Sequence, residues 1–234
     1  MAHGLTYGSY LRVDELLALQ TPRSGGEHGP EHDEVLFIVI HQVYELWFKQ
    51  LLHELDYAAR GLRAAEEHQV GHTLRRVLTI LKTVVAQVDV LETMTPLEFS
   101  SFRGHLEAAS GFQSAQFREI EFLLGFKRAN MVRHFADEPA SHARLAARYE
   151  APTIWDAFLH YLARRGYPVP PEQLARDVRE PLRPDEGVQA LLVEVYRRDL
   201  AARAICERLV DMDEGFQEWR YRHVKMVERT IGFK

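Results

Sequence analysis

Two histidines in this 234-residue chain interrupt apolar stripes that otherwise repeat at helical spacing. His41 falls in the series Phe37, His41, Tyr44, Phe48 and Leu52, and His223 in the series Phe216, Trp219, His223, Val227 and Thr230. At i, i+3/i+4 spacing, each imidazole shares a helix face with aromatic and aliphatic neighbours. A histidine so placed is commonly a hydrogen-bonded core residue. It can also hold a cofactor between helices, where bundles build such sites, and haem iron is often bound by one neutral imidazole. Spacing alone does not choose between the two. Arg103 poses a parallel question. It follows Phe99 and Phe102 on a short apolar stretch, so it either snorkels to the surface or grips a carboxylate with its planar fork.

Other chemistries lack their residues. Di-iron carboxylate bundles use paired Glu-x-x-His motifs, and the chain has none. His-Glu-x-x-His, Gly-x-Ser-x-Gly and the phosphate-binding Gly-x-x-x-x-Gly-Lys-Ser/Thr are absent as well. The single cysteine, Cys206, excludes an internal disulfide and lies among Ile205, Leu209 and Val210, the setting of a buried, inert thiol. The clusters His28, His32, Asp33 and His68, His72 read as solvated surface, with Asp33 a cap or first-turn acid. A net charge of -5 argues against nucleic acid as the main partner. The longest apolar run, Val35 to Ile40, falls short of a membrane span, and the N-terminus lacks a signal-peptide layout, so a cytoplasmic protein is expected.

The elements that must position these residues are helices. From Asp33 to about Glu67 there is no proline, and two apolar stripes run along one helix, as in the centre of a bundle. A second helix is predicted over His72 to Glu92. Thr95-Pro96 has the form of a cap followed by proline in the first turn, starting a short helix that carries Phe99, Phe102, Arg103 and Leu106. Ser110-Gly111 breaks the chain before a helix from about Phe112 to Leu124. Short helices are predicted near 141–149 and 153–164, and helical periodicity resumes at Gly187 with a break near Asp213 to Gly215. Ahead of the bundle, the first 26 residues form an arm with one short helix, Val13 to Leu19, and a Thr21-to-Gly26 loop. The prediction is one all-α domain over 1–234.

Several blocks of sequence resemble the bacterial tryptophan 2,3-dioxygenases. They are Leu5 to Leu11, His32-Asp33-Glu34, Phe37 to Gln42, Glu45-Leu46-Trp47, Leu91 to Pro96, Phe102-Arg103, Ser110 to Ser114, Trp219 to His223, and Ile231 to Lys234. They run in family order across nearly the whole chain. The resemblance implies a helical bundle with haem b, one per subunit, between long helices. It implies insertion of both atoms of O2 across the indole C2–C3 bond of L-tryptophan to give N-formyl-L-kynurenine, the first step of tryptophan degradation through kynurenine.

By the same resemblance His223 is the iron ligand, and His41 faces the indole N–H, positioning it in preference to acting as a base. Phe37 packs on the indole, Arg103 binds the substrate carboxylate, and Phe99 and Leu106 line that pocket. Tyr7 and Tyr10 belong to an arm that completes a neighbouring subunit's site in a homotetramer. In the family a Gly/Ser/Thr-rich segment follows the Ile-Gly-Phe-Lys stretch and supplies a threonine to the substrate ammonium group. The sequence here stops at Lys234, so the expectation is an intact fold and iron ligand with either an open pocket or a longer natural chain. Two other readings stay open at this stage, an indoleamine-type haem protein acting on another indole and a non-enzymatic helical bundle.

Overall fold

The computed structural model describes residues 4–27, 29–107 and 113–232. His28, Ser110 to Phe112, and Phe233-Lys234 therefore lie outside the described residues. The regular structure among the described residues is entirely helical, as the periodicity predicts. Two short helices, α1 (Tyr7–Leu11) and α2 (Val13–Leu17), form the arm. The bundle follows with α3 (His32–Ala64), α4 (Glu67–Leu91) and α5 (Pro96–Arg103), the last running into a 3-10 turn at Gly104–Leu106. Next come α6 (Ala115–Leu123), α7 (Ala129–His134), α8 (Pro139–Glu150), α9 (Ile154–Arg164), α10 (Pro171–Leu174), α11 (Glu186–Arg198) and α12 (Leu200–Ile231).

The long helices set the architecture. Both α3 and α12 pack extensively on α4 and only marginally on each other, which leaves room between them. α5 packs on both, while α6 and α9 cover other sides of α3. α3 is long and apolar enough to cross a membrane, although its unbroken apolar runs are short. In the fold it is the central helix, and Leu51, Leu55, Ala58 and Leu62 are almost completely buried. Burying leucine-sized side chains at about 1.5–3 kcal/mol each makes this half of α3 the main anchor of the bundle.

Three boundaries differ from the sequence expectation. α3 ends at Ala64 and α4 begins at Glu67, five residues before the expected His72. The corner closes with Glu66 N–H on the Gly61 carbonyl and Ala65 N–H on the Leu62 carbonyl, at 2.9 and 3.0 Å. That is the Schellman pattern, with alanine at φ +59° where glycine is usual, so the sequence carries no glycine signal for it. A Cβ at Gly61 would come within 2.9 Å of Val70, so the glycine lets the two helices close.

The expected break near Asp213 to Gly215 is absent, because α12 runs straight through it. Gly215 faces Leu81 of α4 across ordinary contact distance, and helix packing offsets the roughly 1 kcal/mol that a mid-helix glycine costs. The real break falls at Asp199. Its carboxylate caps α12 by accepting from Ala201 and Ala202 N–H at 3.1 and 3.0 Å, and pairs with Arg165 at 2.6 Å. In the arm, the expected helix from Val13 is α2, ending at Leu17, and a further helix, α1, precedes it across left-handed Arg12. Thr95 and Pro96 act as predicted, with a full capping box to Glu98.

Candidate active site

The room between α3 and α12 is a cavity of about 400 Å³. α3 lines it with Phe37, His41, Tyr44, Glu45 and Phe48, and α12 with Trp219, Arg220, His223 and Val224. Each set lies on one helix face at i+3 and i+4 steps. Gln113, Ser114, Phe117, Arg118 and Glu121 supply a third wall from α6 and its approach, positioned by the Ser114 hydroxyl capping Phe117 N–H. The two histidines that interrupt separate apolar stripes thus face the same space.

The orientation of His41 follows from one bond. Its Nδ1 lies 2.7 Å from the Phe37 carbonyl oxygen, which can only accept. In the neutral ring Nδ1 therefore carries the proton, and Nε2 keeps a lone pair. Burial lowers the pKa of His41 and outweighs the bond to Phe37 and the attraction of Glu45, both of which raise it. His223 is pushed down to about 4, by burial first and then by repulsion from His41. Both imidazoles are neutral at physiological pH, the state in which one binds a metal and the other accepts a hydrogen bond. The His223 ring stacks on Trp219, centroids 5.1 Å apart, and Trp219 in turn meets Tyr44, Phe48 and Phe117. Burial raises the Tyr44 phenol to about 12, so it stays protonated, its hydroxyl directed at the Val84 carbonyl.

The charged wall is built around Glu121. Its carboxylate is almost fully buried, with Arg118 at 2.6 Å, Arg128 at 2.8 Å and Arg220 at 3.9 Å. Three guanidiniums around one carboxylate leave this side of the cavity positive, since both Arg118 and Arg220 also line it.

The matching family model is that of tryptophan 2,3-dioxygenase, and it covers residues 1–142. The chain belongs to that family. A tryptophan 2,3-dioxygenase of Herpetosiphon aurantiacus is 64% identical over 234 residues, all of this chain and 88% of the relative. One from Anaeromyxobacter sp. (strain K) is 58% identical over 98% of this chain and 84% of its own length. Another, from Kineococcus radiotolerans, is 47% identical over 98% of this chain and 80% of its own length.

Against this family pattern the remaining residues sort into two groups. Phe37, His41 and His223 lie in the cavity itself. Phe99, Arg103 and Leu106 sit beside it. A row of ring contacts leads outward from His41 to Phe37 at 4.1 Å and on to Phe99 at 5.8 Å. The Arg103 guanidinium carbon then stands 6.0 Å from the Phe99 ring centroid. Arg103 is exposed and reaches the Glu107 carbonyl at 3.5 Å, and Leu106 is half-buried against the core. Tyr7 and Tyr10 on α1 are 78% and 69% exposed and are not among the cavity's lining residues.

Sequence reasoning passed over Glu45, Arg118, Glu121 and Arg220 as site residues. The available signal was their helical spacing from the two histidines, Glu45 at i+4 from His41 and Arg220 at i−3 from His223. The solvated reading of His68 and His72 agrees with their exposure, and Cys206 is buried with its thiol raised to about 11.

Proposed function

We propose that this chain, as a tryptophan 2,3-dioxygenase, inserts O2 across the indole C2–C3 bond of L-tryptophan using one haem b per subunit, held between α3 and α12. One observation carries the reading. Two neutral imidazoles face a single aromatic cavity from helices held apart by α4.

The residues present fit a haem. Phe48, Phe117 and Trp219 offer apolar surface to the porphyrin plane, and His223 offers a neutral nitrogen to iron. Arg118 and Arg220 would hold the porphyrin carboxylates on the positive wall, with Glu121 fixing the two guanidiniums. Bound haem supplies the activation of oxygen. The protein's share is orientation. His41 Nε2 accepts the indole N–H, fixing which edge of the ring faces the reactive centre. Phe37 packs on the indole, and Phe99 with Leu106 extends the apolar wall outward.

Arg103, at the outer end of that row, takes the substrate carboxylate and selects a free amino acid over a decarboxylated amine. Tyr7 and Tyr10 serve a neighbouring subunit of a homotetramer, consistent with an arm whose helices bury nothing in their own chain. We place the enzyme in the cytoplasm, with no role for a membrane or nucleic acid.

The test is spectroscopic and kinetic. Haem added to the purified chain should give a Soret band that shifts on adding tryptophan, and the ferrous protein should form N-formylkynurenine under O2. No Soret band after reconstitution would overturn the assignment.

A further inference from the structure

The root of the N-terminal arm is fastened to α3 by a buried carboxylate that the proposed chemistry does not use. Glu34, in the first turn of α3, is 1% exposed, and Ser24 is 6% exposed. Glu34 Oε1 accepts the Arg23 N–H at 2.6 Å, and Oε2 accepts the Ser24 N–H at 2.8 Å together with the Ser24 hydroxyl. The same hydroxyl oxygen accepts the Glu31 N–H at 2.9 Å, closing a ring between the loop and the helix start. Burial opposes ionisation of Glu34, but the bonds from Ser24 and Arg23 and the nearby charge of His105 outweigh it and hold the carboxyl below its ordinary range. A carboxylate with three donors at a helix N-terminus is a strong anchor.

His105 belongs to the 3-10 turn that also carries Leu106, so the anchor sits beside the outer part of the proposed substrate pocket. A second tie lies two turns along α3. Gln42, next to His41, donates to the Leu19 carbonyl at 3.2 Å and accepts from the Gln20 amide at 2.5 Å. Ahead of Leu19, no hydrogen bond or ion pair among the described residues ties the arm to the bundle. α1 and α2 contain no buried residue, and they pack extensively only on each other. The direction in which the arm leaves the bundle is therefore set at its root.

We infer that Glu34, closed on Ser24 and Arg23, is a positioning residue that aims the arm and so places Tyr7 and Tyr10 for the neighbouring subunit's pocket. This rests on the reading that the arm completes that pocket, and the two can be tested apart. Haem-loaded wild type, Glu34→Gln, Ser24→Ala and a chain lacking residues 1–19 are compared for tryptophan KM, kcat, Soret absorbance and the rate of tryptic cleavage after Arg23.

Glu34→Gln is expected to raise KM about fivefold or more while kcat and the Soret band stay at wild-type values. Cleavage after Arg23 should accelerate by a similar factor, because Ser24 is no longer clamped. Ser24→Ala, which removes only the hydroxyl's bonds, should move both readouts the same way by less, and it keeps the test open if Glu34→Gln folds poorly. Wild-type KM and cleavage in both variants would overturn the inference. Faster cleavage with unchanged KM would also overturn it, and the deletion then shows why. If the deletion raises KM, Glu34 does not aim the arm. If the deletion leaves KM unchanged, the arm reading has itself failed.

Discussion

The inner and outer halves of the proposed site are built in opposite ways. His41 and His223 stand in a cavity whose three walls come from one chain, with aromatic neighbours and protonation states fixed by burial. Arg103, Tyr7 and Tyr10 are all exposed, and Arg103 makes a long contact to the Glu107 carbonyl beside the Phe99 ring. On the proposed reading, cofactor retention belongs to the single chain and the outer part of substrate recognition to an assembly. Loss of the iron-holding side chain of the inner half should therefore appear in the spectrum, and losses in the outer half in kcat/KM with the spectrum unchanged.

The largest expected effect tests the inner half. His223→Ala should abolish haem retention, with the Soret band of the purified variant falling to background. A variant that keeps wild-type haem would remove His223 as the iron ligand. Next in size is Arg103→Ala. Loss of a charge-paired carboxylate contact costs about 2 kcal/mol at the lower end of its range, roughly thirtyfold in kcat/KM, with the Soret band unchanged. The same variant should discriminate less between tryptophan and tryptamine. Equal discrimination before and after would break the contrast, because the edge would then not be reading the carboxylate.

The smallest effect concerns His41. His41→Ala should keep haem and lower kcat/KM about tenfold, the loss of one hydrogen bond to the substrate. Its pH dependence has a definite sign. The folded pKa lies below the ordinary value of 6.5, so the accepting Nε2 stays neutral as pH falls past that point. In the wild type kcat/KM should hold flat through 6.5 and decline only at lower pH, whereas a break at or above 6.5 would contradict the buried, neutral ring.

The sequence was most legible where packing is two-sided. The double stripe of α3 announced a central helix, and the interruption of apolar faces marked His41 and His223. Their convergence on one cavity was not legible from periodicity, which places a residue on a face and does not say which faces meet, and was expected only from the resemblance to the family. Asp199 looked like any acid within a helical run, and only its capping bonds and Arg165 make it a boundary. Gly215 looked like a breaker, but the neighbouring helix overrides its propensity. Glu121 offered only an i−3 pairing with Arg118 on its own helix, because its other arginines, Arg128 and Arg220, arrive from outside that helix. The roles given to Arg103, Phe99, Leu106 and the arm tyrosines came from resemblance to the family alone.

One feature of the frame reaches beyond this reaction. Because α3 and α12 both pack along α4 and meet each other mainly through the Trp219 ring, the side chains of α4 act as a spacer block that sets the width of the slot. Leu81, Val84 and Val88 are buried in that block and line no part of the cavity. The gauge of the slot is thus specified separately from the chemistry of its walls, so a different flat ligand could be accommodated by resizing the spacer with every lining residue left in place.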